Sequence, residues 1–275
     1  MIMRISRTII LGVALLFSLT GCETLQEVRV PMAASPAQTS GTQMQASENN
    51  EDQVIVSRTL GFGRVNAKLY GTFTKKEEIS VFEEAFLSAD KMEGKLDIVR
   101  SDYDLVLVEG GKRKELHLWV DTHSKHGMFT YVSNTGQGYR LTEQSTRALY
   151  DMIWGLKYSP EQAEANGDVV NLHGKLLNPD VWAKFVSNAQ AGSKDEVQVV
   201  QYTIEDDPIF NNMSFDGETI RNIYDNTHDV YGRPIKRYSF CNSLEEKKSD
   251  RGMIYTLASC GEGEAQEGWF NLLIP

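Results

Sequence analysis

A short apolar run near the N-terminus limits the part of this chain that can fold. Arg4 and Arg7 precede the run, which extends from Thr8 to Phe17 and contains no charged residue. A helix that crosses a bilayer needs about 20 apolar residues, so this run is too short to cross. A basic segment before a short apolar run is typical of a secretory signal peptide. The sequence therefore predicts an exported protein whose folded part lies beyond this segment.

One residue after the apolar run, the tetrad Leu19-Thr20-Gly21-Cys22 resembles the lipobox of bacterial lipoproteins. In that family the cysteine thiol receives a diacylglyceryl group, and cleavage before the cysteine makes it the new N-terminus. The resemblance implies a signal peptide over residues 1–21 and lipidation at Cys22. Two acyl chains suffice for stable anchoring. We therefore expect a mature protein held on the cell membrane by palmitate-type acyl chains and facing the outside.

Residues 22–53 have the composition of a disordered tether. The segment combines Pro31 and Pro36 with many small polar residues and the polar run from Glu48 to Asp52. A segment with so few large apolar side chains cannot offset its ordering entropy by burial. About 30 flexible residues have a root-mean-square reach of roughly 30 Å, enough to hold folded domains away from a membrane.

The charge balance excludes one large class of partner. The chain has 28 basic and 38 acidic residues, which gives a net charge of −10. Removing residues 1–21 takes away Arg4 and Arg7 and no acid, leaving 26 basic residues against 38 acidic ones and a net charge of −12. So acidic a chain is a poor candidate for binding nucleic acid.

The pattern over residues 54–156 predicts a first α+β domain. Thr74, with Glu77 three residues later, forms a capping box before an apolar helical stripe. Two apolar runs are joined by Glu109-Gly110-Gly111-Lys112, which indicates a β-hairpin. Thr142 is placed to cap a second helix. We expect a mostly antiparallel sheet with one or two helices.

Residues 160–275 predict a second small domain of the same α+β class, after a polar boundary at Lys157–Asn166. A strand is expected over Asp168–His173, and Asn178 with Pro179 is a strong helix start. Alternating strands and an Asp-Gly hairpin turn follow. The fold class is therefore α+β, with two small domains, each a mostly antiparallel sheet with one or two helices, behind a disordered tether.

Two stretches resemble known families. Residues 166–175 read Asn-Gly-Asp-Val-Val-Asn-Leu-His-Gly-Lys, and this motif resembles an uncharacterised domain family of Gram-positive, Bacillus-type lipoproteins over about residues 160–262. Residues 74–89, 98–106 and 135–141 resemble a YhfM-like domain, over about residues 54–155. Neither family has a known activity. The resemblance therefore implies an architecture and a location, and it supplies no catalytic, cofactor-binding or metal-binding residue.

The cysteines indicate one disulfide. If Cys22 carries lipid, Cys241 and Cys260 are the two remaining thiols. Both lie near the ends of predicted strands, separated by the polar segment Asn242–Asp250. Disulfides form in oxidising compartments outside the cytosol. We expect a Cys241–Cys260 bridge; two separate buried thiols are the alternative.

The histidines are the other candidates for chemistry. His117, His123 and His126, with Asp121 nearby, form the richest group of potential zinc ligands. Their spacing lacks the paired pattern of a structural zinc site, which favours a solvated hairpin end. His228 lies in a polar loop, where we expect it to be solvated.

Taken together, these patterns favour a membrane-anchored, extracytoplasmic lipoprotein that is a non-catalytic binding, sensing or assembly module of the cell envelope. No cofactor is expected. A protein or cell-wall component is an open choice of partner. The alternative is a cell-envelope hydrolase or metal-binding protein that uses His117, His123 and His126.

Overall fold

The computed structural model describes residues 51–94, 96, 100–121, 125–261 and 269–275. The expected signal peptide, Cys22 and all of the expected tether before residue 51 lie outside these ranges. The described part contains two β-sheets with few helices, and most strand pairs are antiparallel. None of the described helices is long and apolar enough to cross a membrane.

The first sheet has seven strands in the order β2-β1-β4-β5-β6-β7-β3, and every pair in it is antiparallel. Of the two helices of this part, α1 (Lys76–Leu87) lies between β2 and β3 in the chain, and α2 (Glu143–Trp154) follows β7. The strands are β1 (Gln53–Arg58), β2 (Gly71–Phe73), β3 (Asp90–Lys91), β4 (Tyr103–Glu109), β5 (Lys112–Trp119), β6 (Met128–Tyr131) and β7 (Asn134–Arg140).

The second sheet has eight strands in the order β15-β14-β13-β12-β11-β10-β8-β9. Its β8 and β10 are parallel, and its other pairs are antiparallel. The helices of this part are α3 (Pro160–Ala165) and α4 (Pro179–Gln190). The strands are β8 (Val169–Leu172), β9 (Lys175–Leu177), β10 (Asp195–Tyr202), β11 (Pro208–Phe215), β12 (Ile220–Asp225), β13 (Lys236–Ser249), β14 (Gly252–Cys260) and β15 (Asn271–Ile274).

The helix starts only partly follow the sequence signals. Thr142 caps α2 as expected, and its side chain accepts a hydrogen bond from the Ser145 backbone N–H. Thr74 does not cap α1, because the helix begins one residue later and Lys75 is its extended N-cap, without a side-chain bond. Asn178 precedes α4 in a left-handed conformation, with φ of 53°. Its side-chain amide donates to the backbone carbonyls of Glu164 and Asp168 instead of capping the helix.

Two strands that the sequence pattern did not predict have few apolar residues. β7 contains Gly136 and Gly138. A Cβ at Gly138 would lie only 2.9 Å from a methyl carbon of Leu96, so the strand packs closely against Leu96 at a position without a side chain. β13 continues as the exposed, charged hairpin arm where a polar loop was expected after Cys241. The ladder with β14 holds this arm, so backbone pairing rather than apolar alternation defines it.

The apolar core of the first sheet continues into the second sheet. Leu105, Leu116 and Phe82 lie in one buried cluster with Val200 and Phe210 of the second sheet. The opposite face of the second sheet packs against α4 in a separate cluster, which includes residues of α4 such as Trp182 and Phe185 and the strand residues Val199 and Met213. Apolar burial therefore holds the two sheets against each other.

The expected polar boundary at residues 157–166 is an ordered, packed segment. It contains the short helix α3, capped by Ser159, whose Ala163 is fully buried. The Gln162 side-chain amide donates to the backbone carbonyls of Leu69 and Tyr70, in the loop before β2. This segment therefore connects the two sheets through specific contacts.

Cys241 and Cys260 form a disulfide, which confirms the bridge predicted from the sequence. They lie directly opposite each other on β13 and β14. Cys241 is fully buried against the α4 side of the sheet. The bridge closes the ladder at the end of β14.

Candidate functional site

A cleft opens where the two sheets meet, and we call it the junction cleft. It consists of two cavities, of about 410 Å³ and about 220 Å³, and Trp154 and His228 line both of them. Trp154 is the last residue of α2, and His228 lies in the loop between β12 and β13. The cleft is thus built from side chains that are far apart in the sequence.

His228 lies at the centre of the junction cleft. Its side chain is buried, with 6% exposure, which corrects the expectation that it is solvated. Its Nδ1 lies 2.9 Å from the Tyr70 hydroxyl, and its Nε2 lies 2.8 Å from the Tyr103 hydroxyl. The imidazole stacks on the Trp154 ring, with centroids 5.0 Å apart. Both ring nitrogens of His228 are therefore hydrogen-bonded to tyrosine hydroxyls.

The environment keeps His228 neutral at pH 7. Burial lowers the pKa of His228 to about 4; the Asp225 carboxylate opposes this shift, and Arg58 reinforces it. A neutral imidazole has one donor and one acceptor nitrogen. One tyrosine hydroxyl therefore donates to the ring, and the other accepts from it.

Short polar side chains shape the loop that carries His228. The Asn226 side chain accepts a hydrogen bond from the Ile235 backbone N–H and donates to the Arg233 carbonyl, closing the base of the loop. Asp229 accepts from the backbone N–H groups of Tyr231 and Gly232. These side-chain bonds replace regular secondary structure and fix the direction of the loop.

A buried ion pair joins the two sheets beside His228. The Arg58 guanidinium on β1 donates to the Asp225 carboxylate on β12 at 2.5 Å, and the two side chains are 5% and 3% exposed. Arg58 also donates to the Asn212 side-chain oxygen at 3.1 Å and lies over the Phe210 ring. Burial opposes ionisation of Asp225, but the charges of Arg58 and Lys236 outweigh it. The pKa of Asp225 therefore lies well below its usual range.

The smaller cavity contains charges of both signs. Burial raises the pKa of Asp102 to about 6, although Lys236 opposes the shift. One oxygen of Asp102 accepts from the Val120 backbone N–H at 3.0 Å. The Lys236 ammonium lies 3.8 Å from Asp225. The larger cavity is mostly apolar and aromatic, with acids at its edge; its lining includes Tyr70, Tyr158, Leu156, Leu172, Asp206 and Asp207.

The motif over residues 166–175 contributes a buried ion pair next to the cleft. Asp168 is fully buried and pairs with the Lys68 ammonium of the first part of the chain. It also accepts from the Tyr158 hydroxyl at 2.5 Å and from the Gln198 side-chain amide at 2.6 Å. His173, at the other end of the motif, lies in the β8–β9 turn with φ of 51°. The motif therefore holds the sheets together and forms a turn.

The candidate zinc ligands are not brought together. His117 is fully buried; its Nδ1 lies 2.7 Å from Asp104, and its Nε2 accepts from the Gly63 backbone N–H at 3.0 Å. Neither nitrogen has a lone pair free for a metal. The His126 ring lies 3.3 Å from the Leu141 carbonyl oxygen, and His123 lies outside the described residues. Among the residues that the structure describes, no three ligating side chains form a metal-sized group.

Sequence reasoning missed the residues that line the junction cleft. Arg58, Tyr70 and Tyr103 lie at or near strand ends, where polar and aromatic residues are common and carry no signal of their own. His228 lies in a run of polar residues, Asp225 to Asp229, which has the composition of a solvated loop. Only the approach of the two sheets buries these side chains together.

Two different family models match the two parts of the chain. Residues 47–158 match the family described as YhfM protein, and residues 166–256 match the family described as a domain of unknown function, DUF4362. No curated protein matches the chain. A thioesterase-like protein from Clostridium sporogenes is 17% identical, and its match covers 38% of this chain and 94% of that one. Its TM-score of 0.31 is too low to support any argument. The chain therefore has a YhfM-like part followed by a part similar to an uncharacterised domain family.

Proposed function

We propose that this protein is a lipid-anchored lipoprotein of the outer face of the cell membrane and that it binds a small molecule in the junction cleft without catalysing a reaction. The observation that carries the binding role is the convergence of buried aromatic and charged side chains from both sheets on one cleft. Ligand sites commonly lie in such clefts between packed units, with a few polar groups in an apolar lining.

The bonding of the cleft residues supports a non-catalytic role. A nucleophile needs a base within hydrogen-bond reach, and that base needs a free lone pair. Both nitrogens of His228 are bound by tyrosine hydroxyls. The Thr227 hydroxyl donates to Asp225, which is itself paired with Arg58. These groups are hydrogen-bonded or ion-paired with one another, and their role in the proposal is to contact a ligand.

The N-terminal sequence and the disulfide support the location. The tetrad that ends at Cys22 follows a basic segment and a short apolar run, the order found in lipoprotein signals. The Cys241–Cys260 bridge suits an oxidising compartment outside the cytosol. The host membrane is that of a Gram-positive cell, on the strength of the resemblance of the second part.

The anchor is tested by Cys22→Ala followed by cell fractionation. We expect the variant to leave the membrane fraction or to accumulate as an uncleaved precursor. A double variant, Cys241→Ser with Cys260→Ser, is the control and keeps its lipid. If Cys22→Ala matures normally and stays on the membrane, the lipoprotein proposal is wrong.

The binding role is tested by mass spectrometry of small molecules retained by the purified mature protein after incubation with a cell-envelope extract. Leu172 lines the larger cavity, so Leu172→Trp fills it and is expected to abolish retention. Leu87→Trp, at a side chain that is 86% exposed on α1, is the matched control and keeps retention. Equal retention by both variants, or no retention by the native protein, contradicts a ligand site in the cleft.

A further inference from the structure

Two arginines outside the junction cleft lie close together without an acidic partner. Arg100 precedes β4, and Arg221 lies on β12. Within the described ranges, neither guanidinium forms an ion pair with a carboxylate. We propose that Arg100 and Arg221 form a binding site for a phosphate-type oxyanion. This proposal does not depend on a ligand in the cleft.

The strand register places the two guanidinium groups beside one aromatic ring. Ile223 is paired with Tyr238, and Arg221 is paired with Phe240. Side chains two residues apart on a strand face the same side of a sheet, so Arg221 and Tyr238 lie on one face. The Arg100 guanidinium carbon lies 4.5 Å from the centre of the Tyr238 ring. Arg100 is therefore held by Tyr238 next to Arg221.

Both arginines have buried N–H groups without a partner. Arg100 Nη1 and Arg221 Nε are shielded from solvent and make no hydrogen bond to any residue that the structure describes. The Arg221 Nη2 donates a long hydrogen bond, 3.5 Å, to the Leu60 carbonyl oxygen. Buried donors in folded proteins are normally satisfied. Unsatisfied donors on two neighbouring guanidinium groups are what an absent acceptor with several oxygens would leave.

The electrostatic environment also points to an anion. Burial lowers the pKa of Arg221, and the charge of Arg100 lowers it further. The acidic residue in line with Arg221 across the strands is Glu196. In the strand register, Glu196 lies opposite Ser214, and Ser214 lies opposite Arg221. The Glu196 charge raises the pKa of Arg221 and so partly opposes these shifts, but among the described residues the two side chains form no ion pair. Two like charges thus lie together in a chain whose net charge is −10.

A phosphate group fits this arrangement better than a carboxylate. A guanidinium presents its N–H groups as a planar fork that binds two oxygens at once, and phosphate offers at least two acceptor oxygens to each of two forks. A carboxylate has only two oxygens to share between both arginines. Phe240, which is paired with Arg221, is 55% exposed, so the site lies near the protein surface. A free phosphate ion and a phosphomonoester would share this chemistry, whereas a phosphodiester, like a carboxylate, has only two unesterified oxygens.

The test is isothermal titration calorimetry of the mature full-length protein at constant ionic strength, with inorganic phosphate, ethyl phosphate, diethyl phosphate and acetate as probes. We expect one site that binds inorganic phosphate or ethyl phosphate at least tenfold more tightly than diethyl phosphate and acetate. Preference for inorganic phosphate identifies the free ion as the source, and preference for ethyl phosphate identifies a phosphomonoester. No binding, or equal binding of acetate, overturns the proposal.

Three single variants locate the site. Arg100→Gln and Arg221→Gln are each expected to weaken binding at least tenfold. Arg113→Gln removes an exposed arginine of the β4–β5 hairpin and leaves binding unchanged. Because the donors of Arg100 and Arg221 are unsatisfied, these two variants should also keep the native Tm in phosphate-free buffer, and phosphate should raise the Tm of the native protein alone. Equal weakening in Arg113→Gln shows nonspecific attraction and overturns the assignment.

The rival occupant is an acidic segment of this chain, Glu262 to Glu267, which lies outside the described residues. A triple variant with glutamine at Glu262, Glu264 and Glu267 separates the two cases. If phosphate binds the triple variant at least tenfold more tightly than the native protein, the two arginines bind the acidic segment in the native protein and the proposal is wrong. Unchanged affinity supports a free site.

Discussion

Burial of neutral His228 makes the stability of this protein sensitive to mild acid. The ring lies between Tyr70, Tyr103 and Trp154, and burial lowers its pKa to about 4 from an ordinary value of 6.5. As the pH falls below 6.5, the unfolded chain takes up a proton that the folded protein refuses. The contribution of His228 to stability is therefore complete above pH 6.5 and is lost progressively as the pH falls toward 4.

The size of this effect follows from the shift in pKa. One pKa unit corresponds to about 1.4 kcal/mol. Integrating the proton-binding difference from neutral pH to about pH 4.5 gives a loss of about 2.5 kcal/mol from this single group. The variant His228→Gln cannot take up that proton. Its destabilisation at about pH 7, from the lost stacking and hydrogen bonds, should therefore shrink by about 2.5 kcal/mol at about pH 4.5.

The assay is urea unfolding of the native protein and of His228→Gln at both pH values, with the disulfide intact and the ionic strength fixed. The quantity of interest is the difference in unfolding free energy between the two proteins, because other titrating groups cancel in it. His173→Gln, at an exposed turn, is the control for loss of an imidazole. A difference that stays constant between the two pH values refutes the reasoning, as does an equal change in His173→Gln.

Three further predictions concern the same region and the disulfide. Burial raises the pKa of Asp102 to about 6 from 3.8, so the folded protein holds a proton that the unfolded chain releases. Native stability therefore gains from Asp102 as the pH falls from 6 toward 4, and Asp102→Asn should remove that gain in the same urea titrations. Asp225→Asn leaves the Arg58 charge buried without its partner and should cost about 3–5 kcal/mol of unfolding free energy. The double variant Arg58→Met with Asp225→Leu replaces both charges by apolar side chains and should recover most of this loss. Serine at both Cys241 and Cys260 should lower the unfolding free energy by about 3 kcal/mol in chemical denaturation, because the 19-residue separation is no longer closed.

The elements predicted best from the sequence are those whose signals are local. Thr142 marks the start of α2, and Gly110-Gly111 marks the β4–β5 turn, because a cap or a tight turn depends on a few neighbouring residues. The cysteine pair was also predicted, since only two thiols remained to be joined. The sheets are mostly antiparallel, as the hairpin signals indicated.

Elements without a local signal were missed. β7 is rich in glycine, and the outer arm of β13 is charged, so neither shows the apolar alternation from which strands are predicted. Both are strands because a neighbouring strand pairs with their backbones. α3 was assigned to a polar boundary, yet packing against the loop before β2 makes it part of the connection between the sheets.

The sequence by itself determined the acidic balance, the local turns and caps, and the pairing of the last two cysteines, and it is the sole basis for the predicted export signal. Only the tertiary structure decided what the polar residues do. Arg58 reaches Asp225 across 167 positions of the chain, and His228 reaches Tyr70 across 158. No composition or spacing encodes such partners, because burial at these positions depends on how two separately patterned sheets approach. The physical reason is that a polar side chain has the same local signature in water as in a buried network, and only the surrounding packing distinguishes the two.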